Sequence, residues 1–208
     1  MNFRLISTAL GAVAVLSFVG IADMRPAQAA ENVRVRGTIV SLDGSTLTVK
    51  TREGPTAALA LKSGWKVTGV AAASLGDIKP GDFVGVASLP RAAGGDGAVE
   101  VLVFPAAMKG TGEGSYPWDL KPNSTMTNAT VSNAVKEVDG RKLTLSFNGG
   151  QEKTISVPDG TPIVTFAPAT AADVKPGATV FVPAQRGDDG MLSAGFVVVG
   201  ENGVAPPM

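Results

Sequence analysis

From Arg36 to Thr51 the chain reads RGTIVSLDGSTLTVKT, with apolar and polar positions alternating on either side of Asp43-Gly44. Successive side chains of a strand point to opposite faces, so a period of two predicts strands with one buried face each. Asp-Gly tolerates the positive φ angles of a tight turn, which predicts a hairpin there. Asp139-Gly140, Asp159-Gly160, Asp189-Gly190 and Asn202-Gly203 repeat the signal, and DFVGVASL from Asp82 and ATVFVPA from Ala178 supply further short β runs. Helical periodicity is confined to Ala71–Ile78 and Ala169–Val174, each long enough for one turn before a Lys-Pro-Gly. With 26 Gly and 14 Pro in 208 residues, few windows could hold a long helix.

The pattern occurs twice. A shift of 96 residues places Asp43-Gly44 on Asp139-Gly140, Leu47-Thr48-Val49 on Leu143-Thr144-Leu145, Gly54 on Gly150 and Gly64 on Gly160. The same shift places Asp77-Ile78-Lys79-Pro80-Gly81 on Asp173-Val174-Lys175-Pro176-Gly177, and a one-residue slip then matches Val99–Phe104 to Ala194–Val199. Lys-Pro-Gly suits a type II turn, in which Pro fixes φ at the second position and Gly takes positive φ at the third. Five or six strands per unit predict an all-β protein of two tandem small barrels, OB-like or SH3-like, over 30–105 and 127–208. An aromatic, Gly- and Pro-rich linker spans 106–126. A β-sandwich built jointly by the two units is the alternative.

Residues 1–29 have the three parts of a secretory signal: a basic start with Arg4, an apolar run from Leu5 to Ala22, and Ala27-Gln28-Ala29 as a small-x-small cleavage pattern. Cleavage there predicts a periplasmic protein, with secretion as the alternative and no membrane insertion afterwards. Removing Arg4, Arg25 and Asp23 from 18 basic and 18 acidic residues leaves 16 and 17. That balance gives no long-range field for nucleic acid. The densest basic stretch, VRVRG from Val33, alternates like a strand with one wet face.

The duplicated units with D-[IV]-K-P-G before a β run, the linker GTGEGSYPWDLKPNSTMTNAT and the ending GVAPPM resemble a bacterial family of uncharacterised exported proteins. Proteins of that family are often labelled "metal ABC transporter permease". The resemblance covers essentially the whole chain after residue 29 and implies OB-like modules and a transport accessory. A permease itself needs several spanning helices. The family's linker has His before Tyr-Pro-Trp where this chain has Ser115.

The chain contains no Cys and no His, which removes thiolate and imidazole chemistry, including metal sites and catalytic triads built on them. Ser63-Gly64-Trp65-Lys66 has the spacing of a Ser-x-x-Lys nucleophile, but Gly64 and the β-like KVTGV oppose the helix that would join Ser to Lys. Gly110-x-Gly112-x-Gly114 runs into Tyr116-Pro117-Trp118 and not into a phosphate-binding helix. Gly95-Asp96-Gly97 and Gly187-Asp188-Asp189-Gly190 lack the alternating oxygen spacing of a calcium loop and fit hairpins. Asn123-Ser124-Thr125 and Asn128-Ala129-Thr130 match the N-glycosylation pattern, which carries no meaning in a bacterial periplasm and would mark surface loops only in a eukaryotic host.

No catalytic residue, metal site or cofactor is therefore expected. The expected function is a non-enzymatic binding or structural module for an envelope protein or polymer, with a carboxylate-based metal binder or polysaccharide-acting enzyme as the alternative. The candidate contact residues are Glu113, Tyr116, Trp118 and Asp119. Two rings within three positions, flanked by acceptors, can form a stacking platform or plug a seam between the units.

Overall fold

The structure, a computed structural model, describes residues 31–137 and 140–206. The expected signal segment and Asp139 lie outside the described residues. The alternating runs become β1 (Glu31–Asp43), β2 (Thr46–Thr51), β3 (Thr56–Ala72), β4 (Phe83–Pro90), β5 (Asp96–Val103) and β6 (Gly114–Trp118). They continue as β7 (Ser124–Glu137), β8 (Gly140–Phe147), β9 (Gln151–Pro158), β10 (Ile163–Ala167), β11 (Thr179–Arg186) and β12 (Leu192–Gly200). The only helical elements among the described residues are 3₁₀ turns, and those at Leu75–Asp77 and Ala171–Asp173 are the expected pair before Lys-Pro-Gly.

The protein is all-β, and β1, β2, β3, β12 and β11 pair in sequence around a closed five-stranded barrel. A second ring runs β4, β5, β9, β8, β7 and back to β4. Each ring draws three strands from one repeat and a hairpin from the other. The hydrogen bonding thus departs from tandem units that close on themselves. The shift of 96 residues still relates β1–β5 to β7–β12, including the last strands, where no slip is needed: β5 (Asp96–Val103) falls on β12 (Leu192–Gly200). Where β3 and β10 meet antiparallel, Val70 lies opposite Phe166, its own counterpart, so a pseudo-twofold axis passes between them.

The repeated Lys-Pro-Gly turns explain the exchange. In each, the fourth residue closes the turn on the first, Asp82 N to Lys79 O and Ala178 N to Lys175 O, both 3.1 Å. Gly81 and Gly177 have φ of 96° and 86°, as a type II turn requires. Gly81 N donates to Val131 O at 2.8 Å, and Gly177 N donates to Ile39 O at 2.9 Å. Val131 N and Ile39 N return bonds to Asp82 O and Ala178 O. Each turn thereby docks the hairpin that follows it onto the other repeat's first strand, beside the bulge after Ile39 or Val131.

Three apolar clusters result. The closed barrel buries Leu47, Val49, Leu59, Val182 and Val197, and the second ring buries their counterparts Leu143, Leu145, Ile155, Val86 and Val101. The third cluster lies on the seam, with Val70, Leu102, Val164, Phe181 and Val198 packed by Phe104 and Phe166.

Several turns differ from the Asp-Gly expectation. The β1–β2 loop is Gly44-Ser45, with positive φ at Gly44 and not at Ser45, so glycine leads the turn and Asp43 stays in the strand. Asp159-Gly160 makes no hairpin: β9 and β10 both run parallel to β5, and the pair interrupts what is one continuous strand, β3, in the other repeat. Ser63 to Lys66 lie within β3, with no helical turn to align them.

Candidate functional site

The segment expected as a linker contains a strand. β6 lies antiparallel on β7, Tyr116 opposite Met126 and Trp118 opposite Ser124. Pro117 is tolerated because β6 is an edge strand, where a missing N–H removes no ladder bond on the solvent side. Ser124 Oγ donates to Trp118 O at 2.9 Å and accepts from Lys121 N at 3.1 Å, which fixes the reversal between the strands. Behind it, the Gly110–Gly114 loop folds back so that Asn128 Nδ2 donates to Thr111 O and to the Tyr116 hydroxyl, both at 3.2 Å. Asn128 is buried inside β7, so this glycosylation-like triplet does not mark a surface loop; Asn123 is exposed.

On this frame Tyr116 and Trp118 meet edge to face, ring centroids 5.9 Å apart. The end of β6 then reaches the other ring. Arg34 of β1 lies 3.9 Å above the Trp118 ring, and Arg36 lies 5.2 Å from the Phe181 ring and 5.9 Å from Trp118. Asp119 joins both cations: Arg36 Nη2 donates to Oδ1 at 2.8 Å, and Arg34 Nη1 stands 3.6 Å from Oδ2. Arg36 is only 7% exposed, so VRVRG does not present one wet face. A cation that deep needs compensation, which Asp119 and the two ring faces supply. Strand parity puts Arg34 and Arg36 on one side of β1, where β6 ends.

Partial burial raises the Asp119 pKa, but the hydrogen bond from Arg36 and the charges of Arg36 and Arg34 outweigh it and hold the carboxyl below its ordinary range. Burial pushes the Tyr116 hydroxyl up, partly offset by Arg34. A slot of about 40 Å³ opens beside the rings, lined by Gly85, Leu102, Phe104, Tyr116, Trp118 and Met126 among others. A Cβ on Gly85 would stand 2.7 Å from Asn128 Oδ1, so the slot and its polar wall depend on glycine there. The buried Trp118 Nε1 has no hydrogen-bond partner among the described residues.

Of the four expected contact residues, Tyr116, Trp118 and Asp119 come together. Glu113 does not join them: its Oε1 accepts from Asn148 N at 2.8 Å and ties the segment to the β8–β9 turn. Sequence reasoning missed Arg34, Arg36 and Asn128. The signal for Arg34 and Arg36 was their spacing at i and i+2, which puts both on one face of a strand.

Among the described residues no group of three or more His, Cys, Asp or Glu is placed to hold a metal, and no helix is long and apolar enough to cross a membrane. Asp96 pairs with Lys153 at 2.8 Å, and Asp189 Oδ1 accepts from Met191 N within its own turn. No family model matches the chain, and neither does any curated protein or solved structure.

Proposed function

We propose that the chain is a non-enzymatic binding or structural module of the bacterial envelope, an accessory to a transporter or another envelope assembly. Its contact surface is the strip of Tyr116, Trp118, Arg34 and Asp119. The signal-like pattern of residues 1–29 supports export to the periplasm. The observation that carries the reading is that β6 has no counterpart in the other repeat. The pseudo-twofold scaffold repeats what folding requires, and β6 with Asp119 stands outside the repeat. Half-exposed rings with an arginine on one face suit a protein or polymer surface, where Tyr, Trp and Arg dominate binding. A carboxylate-based enzyme draws less support, because Asp119 is tied to two arginines and Glu113 to a backbone amide.

A photo-reactive residue in place of Tyr116, in cells expressing the full chain, tests the reading. It should capture one discrete envelope partner that the same probe at exposed Lys175 does not. Equal capture at both positions, or none at 116, would overturn it.

A further inference from the structure

The tip of the β4–β5 hairpin, beyond the seam slot, overhangs β8 and β9 and leaves an open groove of about 510 Å³. Arg91, Gly95 and Asp96 from the hairpin, Lys142 from β8, and Thr154 and Ser156 from β9 line it. Ala93 supplies the only apolar side chain in that lining.

The pseudo-twofold symmetry provides an internal control. Lys142 lies opposite Ser156 just as Thr46 lies opposite Ala60 in the closed barrel, and Asp96 opposite Ile155 just as Leu192 lies opposite Leu59. At the same shift Arg91 corresponds to Gly187, Thr154 to Ala58 and Lys153 to Ala57. The barrel folds with glycine, alanine, threonine and leucine at these places, so the fold does not require the charged and hydroxyl groups of the second ring. The matching turn of the closed barrel even carries Asp188 and Asp189, the opposite charge.

Arg91 is also positioned. Arg91 N donates to Gly95 O and Gly94 N to Arg91 O, each at 2.9 Å, which closes the hairpin tip. Its stem crosses Gly97 so closely that a Cβ there would stand 3.0 Å from Arg91 Cδ and 3.1 Å from Cγ. The counterpart of Gly97 is Ser193, which has a Cβ. The guanidinium makes no ion pair among the described residues. Asp96 is half-buried and held 2.8 Å from Lys153, so its carboxylate is fixed at the groove wall.

We infer that this groove binds an acidic oligosaccharide. Arg91 and Lys142 hold a carboxylate or phosphate group on the sugar, because guanidinium and ammonium donors form their strongest bonds with such anions. Thr154, Ser156 and Asp96 exchange hydrogen bonds with ring hydroxyls. A lining without rings, whose one apolar side chain is the methyl of Ala93, offers little to a nucleobase or an apolar peptide side chain. This site is separate from the Tyr116–Trp118 strip and stands or falls without it.

Calorimetric titration at low salt tests the inference, with the full chain after residue 29 and four probes: a short oligogalacturonate, a phosphorylated oligomannose, a neutral oligogalactan and inorganic phosphate. The two acidic sugars distinguish carboxylate from phosphate as the anchored group. At least one should bind, the neutral sugar should not, and inorganic phosphate should bind at least about tenfold more weakly than that acidic sugar. Arg91→Gln and Lys142→Gln should each lower affinity about tenfold. Gly97→Ser, which keeps every charge but displaces the Arg91 stem, should lower it severalfold. Lys50→Gln and Lys175→Gln, on exposed positions elsewhere, should leave it unchanged. All five variants should melt as the parent does. Failure of both acidic sugars to bind, undiminished binding in Arg91→Gln with Lys142→Gln, an equal loss in the two controls, or free phosphate binding as tightly would each overturn the inference.

Discussion

The two rings share one plan and differ in how it is finished. The closed barrel is sealed by an unbroken 17-residue β3, which runs parallel to β12 from Leu59 to Val70 with one irregularity. In the second ring the equivalent strand is cut into β9 and β10, and β9 meets β5 at only Asp96 and Gly97. The second ring instead gains β6 and the groove beneath its hairpin tip. Positions that recur in both rings are those folding needs: the inward Leu, Val and Ile residues and the Lys-Pro-Gly turns. Tyr116, Trp118 and Asp119 at the strip and Arg91, Lys142, Thr154 and Ser156 at the groove do not recur, and these are where binding is proposed.

The largest expected effect comes from matched core truncations. Leu47→Ala and Leu143→Ala remove equivalent, fully buried side chains, and each should cost about 2–5 kcal/mol in urea denaturation. Because each ring takes a hairpin from the other repeat and β10 pairs with both β3 and β5, both variants should unfold in one transition; a two-step curve for Leu143→Ala alone would show the second ring to be a separate unit.

The docking turns come next. A side chain added at Gly81 or Gly177 meets no atom within 4 Å, so the cost is conformational, from φ of 96° and 86°. Gly81→Ala and Gly177→Ala should each destabilise by about 1–2 kcal/mol. A loss at one and not the other would break the equivalence of the turns.

Asp119→Ala sharpens the contrast, since Asp119 has no counterpart in the closed barrel. The carboxylate is 48% exposed, which screens the pair. Thermal melting should register a loss of about 1 kcal/mol, with the Trp118 emission shifted in a Trp65→Phe background.

The smallest effect is its titration. A carboxyl whose folded pKa is depressed stabilises the fold above its unfolded pKa, near 4, and that stability is lost as pH falls through the lower folded value. Trp118 emission should therefore change only below about pH 4, and Asp119→Ala should abolish that change.

Much of the fold was legible in the residues. The period-two runs, the one-turn helical segments and the type II turns are local, and burial at Leu47, Leu143, Val49 and Leu145 follows from alternation. Strand exchange was not legible, because a shift of 96 residues is the same whether β1 pairs with β4 or with β11. β6 was hidden by Gly114, the glycines before it and Pro117, which read as a connector although an edge strand accommodates Gly114 and Pro117. Tyr116, Trp118 and Asp119 stood out by composition. Arg34 and Arg36 did not, since alternation says that two side chains share a face and is silent on what covers it. Glu113 was adjacent in sequence, but Asn148 N engages it.

The exchange itself can be tested with one covalent measurement, for which a chain without cysteine is a clean background. Glu31 lies directly opposite Arg186 on β1 and β11, a spacing a disulfide can bridge. In a tandem arrangement Glu31 would instead face Pro90, the counterpart of Arg186. Glu31→Cys with Arg186→Cys should oxidise to a monomeric disulfide, detected as a mobility shift without reductant, and Glu31→Cys with Pro90→Cys should not. A crosslink at Glu31 and Pro90, with none at Glu31 and Arg186, would contradict the exchange and the internal comparison built on it.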